Sequence, residues 1–233
     1  MTLRDSVPPY DDAEEAVNTA MLAGLATIPA VGGPLVEIAS GLLSRVRAKR
    51  QYEFDKYVAA AIESLQSEGH PTVHDILDSS EFMAAYEKAS RSAAESATTA
   101  HRRRLAWVAA QMGEWSSAPQ ALRQQMFAMV NDMEDSHVRV LSFLDDPVAF
   151  ISRADSDWSP DSVLMTSLPE LIIQWVFQRQ TGSQTLTEII TAYLENNKLA
   201  QVPQASMTGA GALSCHTTEL GRDLLHFIQF PES

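Results

Sequence analysis

Cysteine, positive charge and, over one long stretch, charge of either sign are scarce in this chain of 233 residues. The single cysteine, Cys215, excludes an intramolecular disulfide and points to a reducing compartment. With 17 bases against 30 acids the net charge is -13, so the chain as a whole repels nucleic acid, and only a local basic patch would bind it. The N-terminus sets Arg4 and Asp5 before Pro8-Pro9 and Asp11-Asp12, without the cationic-then-apolar order of a secretion signal. The expected location is therefore cytoplasmic, with the periphery of the inner membrane left open. There is no internal repeat and no low-complexity tract.

From Ala16 to Ser44 the only charge is Glu37, and Ile28-Pro29-Ala30-Val31-Gly32-Gly33-Pro34 stands at the centre of that stretch. A continuous span across a membrane needs about 20 apolar residues, and the Pro/Gly cluster leaves about ten on either side, or about 15 Å of helix each. That geometry disfavours a permanent span. Two alternatives remain: a hairpin kept in a helical core, or a hairpin released under some condition to engage a membrane or a second copy. The hinge is Pro29, Gly32, Gly33 and Pro34, and the basic run Arg45, Arg47, Lys49 and Arg50 behind it suits an anionic surface.

Residues 1–12 are expected to form a flexible lead-in. Residues 13–135 are expected to form a helical domain without strands. Pro34 suits the first turn of a helix that continues to about Leu65, since no Gly or Pro falls between Leu42 and Glu68. A short helix follows at His74–Leu77. Ser80 opens another that runs to about Gln111 through His101-Arg102-Arg103-Arg104, a basic run expected to be a solvated face. A further helix covers about 120–133.

Residues 136–233 follow a different order. Ser136 is expected to cap a helix ending at Pro147, an apolar helix covers about Leu168–Gln178, and Thr185-Leu-Thr-Glu188 starts a third by a capping box. That third helix carries Leu186, Ile189, Ile190, Tyr193 and Leu194. A short extended piece from Lys198 to Val202, a Pro/Ser/Gly-rich excursion over 203–212 and a return at Ala212–Thr217 precede a closing helix, Glu219–Phe230. Helix, helix, turn, helix, strand, glycine-bearing wing, strand and helix is the order of a winged helix-turn-helix domain. The expected fold class is thus mainly α: a helical bundle, then a winged helix-turn-helix-like α+β domain with a short two-stranded wing.

No arrangement of catalytic residues stands out. His70 and His74 lie near Asp75 and Asp78, but Pro71 sets His70 ahead of the helix and no third ligand is near. Asp155, Asp157 and Asp161 lack the glycine and late glutamate of a calcium loop. Gly209-Ala-Gly211 lacks the lysine of a phosphate loop and suits a wing tip. Cys215 and His216 would point to opposite faces of a strand. No enzyme activity, metal or cofactor is expected.

The second helix of a helix-turn-helix reads DNA with Arg, Lys, Asn or Gln at its exposed positions. Here those positions are taken as Thr187, Glu188, Thr191 and Glu195, in a region (137–233) with 5 bases (Arg139, Arg153, Arg179, Lys198, Arg222) and 11 acids. The helix is therefore expected to contact a protein. A DNA-binding winged-helix regulator, with a basic face built from Lys198, Arg222 and the N-terminal arginines, is the alternative.

Three segments carry a resemblance. They are Ile28-Pro-x-x-Gly-Gly-Pro34 leading into Lys49-Arg50-Gln-Tyr-Glu-Phe54, Ser136-His-Val-Arg-Val-Leu-Ser-Phe-Leu-Asp-Asp-Pro147, and Thr217-Thr-Glu-Leu-Gly-Arg-Asp-Leu-Leu-His-Phe-Ile228. Together they resemble bacterial proteins of the abortive-infection alpha type, which pair a helical N-terminal region with a winged-helix-like C-terminal segment. The resemblance implies a non-enzymatic part in phage defence and carries over no catalytic residue. The expected partners are a protein, a second copy of the chain or an anionic membrane surface, with nucleic acid disfavoured.

Overall fold

The structure is a computed structural model that describes residues 34–67, 69, 72–113, 115, 116 and 118–229. The expected lead-in, the half of the expected apolar hairpin that precedes the hinge, and hinge residues Pro29, Gly32 and Gly33 lie outside the described residues. Among the described residues the fold is mainly helical, with one two-stranded antiparallel sheet. It divides into two compact units, one running up to Asn131 and the other covering Asp132–Gln229.

In the first unit the longest helix, α1 (Pro34–Ser67), opens with Pro34 where a missing N–H costs nothing. It buries Phe54, Val58, Ala61, Ile62 and Leu65, a stripe at helical spacing. Helix α2 (Val73–Asp78) is short and closed by a capping box in which Thr72 Oγ1 accepts from Asp75 N. The two hydrogen bonds from Thr72 hold the Asp75 carboxyl below the usual carboxylate range. Helix α3 (Ser80–Glu95) packs Phe82 inward together with Ala85, Ala89 and Ala93, three small side chains that let helices approach closely.

The single helix expected from Ser80 to Gln111 is in fact two. Ser96 ends α3, and Thr98 Oγ1 accepts from His101 N at 3.2 Å to start α4 (Thr99–Ala110). Short hydroxyl side chains compete for the backbone, which is why a Ser-x-Thr pair divides a run that alanine would have carried through. Helix α4 is then enclosed, with every residue from Leu105 to Ala110 buried. Helix α5 (Gln120–Asp132) follows.

The turn between α3 and α4 also changes the fate of the basic run. Arg102 is not solvated: it is 5% exposed and donates to Glu53 Oε2 at 2.6 Å and to Ser96 O at 3.0 Å. A guanidinium can be buried because its fork satisfies several acceptors at once. Arg123 on α5 does the same for Glu81 at 2.6 Å. Tyr86 on α3 packs against the Phe54 ring at 5.7 Å and donates to Asp55 Oδ1 at 2.8 Å. Burial and the Asp55 carboxylate push the phenol up to about 12.

The second unit is organised around α6 (Asp135–Asp145), whose Val140, Leu141, Phe143 and Leu144 are fully enclosed. This helix starts one residue before the expected Ser136, with Glu134 N donating to His137 Nδ1 at 3.2 Å. Pro147 does not only end it. Asp146 Oδ1 accepts from Ala149 N at 2.8 Å and caps a new helix, α7 (Pro147–Ala154), in which the proline occupies the first turn.

Beyond strand β1 (Met165–Thr166), α8 (Leu168–Leu171) passes into a π-helical segment, Ile172–Val176. Arg139 of α6 donates to Val176 O there at 2.9 Å. Helix α9 (Ser183–Asn196) starts after Gly182, whose φ of 84° is left-handed, and so begins earlier than the Thr185 start expected from the capping box.

After α9, Ala200 pairs with Thr217 antiparallel, supported by Gln201 N to His216 O at 2.9 Å and Thr218 N to Leu199 O at 3.0 Å. The intervening excursion is not a bare wing tip. Strand β2 (Met207–Thr208) pairs with β1 in the register Met165↔Thr208 and Thr166↔Met207, and Gly209–Ala212 forms a short helix, α10. Gly209 is required where it stands, because a Cβ there would overlap the Val163 carbonyl. The closing helix, α11 (Glu219–Ile228), is capped by Thr218 and meets the Leu199 carbonyl at Gly221, again too closely for a Cβ.

Arg102→Met removes the buried guanidinium and leaves Glu53 without its partner. Urea denaturation is expected to show a loss of about 3 kcal/mol, the low end for breaking a buried pair because Glu53 keeps 30% of its side chain exposed. A loss below about 1 kcal/mol would show that the pair does not fasten α4 to α1.

Candidate functional site

The helix expected to meet a partner, α9, sits in the second unit with its two faces differently assigned from the sequence reading. Ser183, Thr187, Ile190, Thr191 and Leu194 are buried, while Leu186 and Ile189 are 39% and 59% exposed. Of the four residues taken as exposed contacts, Glu188 and Glu195 are exposed and Thr187 and Thr191 are not.

The physical reason is local. Thr187 Oγ1 donates to Ser183 O at 2.7 Å, and Thr191 Oγ1 donates to Thr187 O at 2.8 Å. A threonine whose hydroxyl donates one turn back presents its methyl group to the core and buries no unmade donor. The sequence signal was hydroxyl residues at 183, 187 and 191, each four apart, a spacing that permits a self-satisfied polar stripe. Outward face the apolar Leu186 and Ile189, and Glu188 and Glu195 are exposed on the same helix. Tyr193 is half-buried, with its ring edge-to-face on His137 at 4.8 Å. Burial first, then the nearby Asp132, raises its phenol above the ordinary value. The Glu195 carboxylate also accepts from Val202 N at 3.0 Å, holding the chain as it leaves the helix.

Beside α9 lies an open cleft of about 310 Å³. One wall is Ser167, Pro169, Glu170 and Ile173; the other is Gln184, Thr187, Glu188 and Thr191, and Gln204 lies at its border. Two carboxylates line it and no base does. Arg179 donates to Glu170 Oε1 at 3.1 Å, an exposed pair.

The basic run behind the hinge does not form one free patch. Arg47 is exposed, Arg45 and Lys49 are half-buried, and Arg50 donates to the carbonyls of Ala94 and Glu95 at 3.3 and 3.2 Å. Those are last-turn carbonyls of α3, a natural seat for a guanidinium. Leu43 and Val46 are 62% and 44% exposed on the same helix. Among the described residues no helix is long and apolar enough to cross a membrane.

No group of His, Cys, Asp or Glu that could hold a metal occurs among the described residues. His74 is exposed and pairs with Asp78 at 3.3 Å, and His70 lies outside the described residues. A Ser214–His216 contact at 3.4 Å, which sequence reasoning missed, has no carboxylate hydrogen-bonded to the imidazole among the described residues. Ser214 Oγ donates to Gly211 O at 2.7 Å, and His216 Nε2 stands 3.0 Å from the same carbonyl. That geometry fastens a turn and does not activate a nucleophile. Cys215 is exposed, with Asp145 Oδ1 and Thr217 O at 3.9 and 3.8 Å. No family model, curated protein or solved structure matches the chain.

The orientation of α9 is open to a paired test. Ile189→Asp is expected to stay within about 0.5 kcal/mol of the parent, as a substitution on an exposed site. Thr191→Asp is expected to lose about 3 kcal/mol or more by burying a charge without a partner. Thermal melts that reversed the two would place Ile189 in the core and turn the helix over.

Proposed function

We propose that the chain is a non-enzymatic binding protein whose C-terminal unit, winged-helix-like in arrangement, meets another protein through the outer face of α9. The observation that carries this reading is the exposed pair Leu186 and Ile189 on a helix whose two charges, Glu188 and Glu195, are both exposed and acidic. A large apolar side chain left outside, on a helix that carries one sign of charge, suits a protein surface that supplies an apolar side chain and cations. It is poorly suited to a duplex, whose phosphates need Arg or Lys on the entering helix. The order of α8, α9, the Ala200–Thr217 pairing and the 203–214 excursion supports the winged-helix description. On the resemblance of its three sequence segments to abortive-infection alpha proteins, the role proposed for this contact is in bacterial phage defence.

In cells challenged with phage, a protein recovered with the tagged wild-type chain is expected to be lost with Ile189→Asp, together with any protection in a plaque assay. Unchanged recovery and protection in that variant would sink the reading. So would tight binding to random duplex DNA that collapses between about 50 and 200 mM salt, which belongs to the regulator alternative.

The first unit supports a second element. Leu43, Val46 and Arg47 present exposed apolar and basic side chains on α1, the end that continues from the apolar stretch. Residues 16–50 are on that ground the candidate conditional membrane-engaging or oligomerising segment. Flotation with anionic vesicles is expected to carry the wild-type chain upward and to carry Arg47→Glu less. Neutral vesicles carrying both equally, or anionic vesicles carrying neither, would remove the membrane from the account.

A further inference from the structure

We infer that the cleft beside α9 receives an arginine side chain of the partner protein. The inference deepens the contact reading above and rests on it, but it is carried by a different observation, the balance of donors and acceptors in the cleft. Thr187 and Thr191 line the cleft and are 1% and 3% exposed. Both hydroxyls spend their single proton within α9, on Ser183 O and Thr187 O, and neither oxygen accepts a hydrogen bond among the described residues. Their remaining lone pairs call for a donor.

The other lining groups add to the same surplus. Glu170 and Glu188 bring carboxylate oxygens. Gln184 Nε2 donates to Glu188 Oε1 at 3.3 Å and Gln204 Nε2 to Val202 O at 3.0 Å, so each amide keeps one N–H beside its carbonyl oxygen, and the Ser167 hydroxyl, which accepts from Glu170 N, keeps its proton; with the two carboxylates and the threonine oxygens, acceptors still outnumber these donors. None of the lining residues is Lys, Arg or His. A cleft so composed fits a group with many donors, no acceptor and a positive charge. The guanidinium has five N–H donors in a planar fork and accepts nothing, whereas an ammonium has three on a single nitrogen. Pro169 and Ile173 supply apolar wall for the methylene stem that carries it. Arg179, already on Glu170 at 3.1 Å in an exposed pair, shows that this carboxylate accepts a guanidinium.

The source proposed is a protein and not a free small cation, because Leu186 and Ile189 stand exposed on the same helix, on the flank away from the cleft, and a protein can cover both flanks where a small cation cannot. The partner segment therefore carries an arginine beside an apolar side chain. It reaches α9 with its guanidinium in the cleft.

The test is a titration of the full chain, labelled with nitrogen-15, with the peptide acetyl-Leu-Ala-Ala-Arg-amide. The same peptide with citrulline, the neutral isostere of arginine, serves as comparison, and so does ethylguanidinium alone. The arginine peptide is expected to give saturable shifts at residues 167–173 and 184–191. Glu188→Gln, an exposed change that keeps the fold, is expected to weaken it roughly tenfold. No saturable shift, an equal response to citrulline, or an unchanged affinity in Glu188→Gln would overturn the inference. Ethylguanidinium binding as tightly as the peptide would overturn a protein source. Ile189 does not line the cleft, so a partner lost with Ile189→Asp but indifferent to Glu188→Gln would defeat the cleft and leave the contact reading standing.

Discussion

A hydroxyl taken out of water must find an acceptor, and in α9 that requirement is met inside the helix. The consequence reaches beyond two hydrogen bonds. With Thr187 and Thr191 satisfied by carbonyls one turn back and Ser183 by the Gln180 carbonyl just ahead of the helix, α9 can turn a face toward the core that looks polar in composition. Ile190 and Leu194 complete that face, and the helix has no second apolar stripe to bury. Leu186 and Ile189 are left outside with the acids. The outer surface of the unit and the acceptor-rich cleft both follow from how three small side chains dispose of their protons.

The first unit meets the same constraint with longer side chains. Arg102 and Arg123 carry charge into places where an uncompensated ion would cost several kcal/mol, and each reaches both a carboxylate and a backbone carbonyl. Arg50 closes the end of α3 in the same manner. Three arginines that composition alone would count as surface charge instead hold helix ends and helix pairs together. The free basic surface is correspondingly smaller than the sequence suggests, and Arg47 is the member of the 45–50 run with clear exposure.

Helical periodicity and the Pro/Gly breaks were legible in the sequence. They located α1, the short helix after Thr72, α5 and the closing helix to within a few residues, because long apolar stripes and backbone punctuation act locally. What escaped was decided by capping. Ser96 and Thr98 split one helix, and Asp146 started another behind a proline that had been read only as a stop. The orientation of α9 escaped for a related reason: Leu186 and Ile189 are hydrophobic and Thr187 and Thr191 are not, so a hydropathy count turns the helix the wrong way. Only the four-residue spacing of the hydroxyls hints at the answer. The cleft was not legible at all, since Glu170 and Gln204 are brought to α9 by tertiary structure.

The long-range field and the local site favour the same kind of partner. A chain with a net charge of -13 attracts cationic surfaces from a distance and repels polyanions, which speeds encounters with basic proteins at low salt. That attraction is unspecific by itself. Discrimination has to come from close range, where a cationic donor group finds two carboxylates and several further acceptors and an anion finds no base to meet it. The Lys/Arg-poor face of α9 and the acceptor surplus beside it are therefore two expressions of one selectivity, against phosphate and for guanidinium. Basic proteins are numerous, so charge would bring many of them close. The apolar step onto Leu186 and Ile189 would then select among them, because a partner must place an apolar side chain at a fixed distance from its arginine to use both features at once.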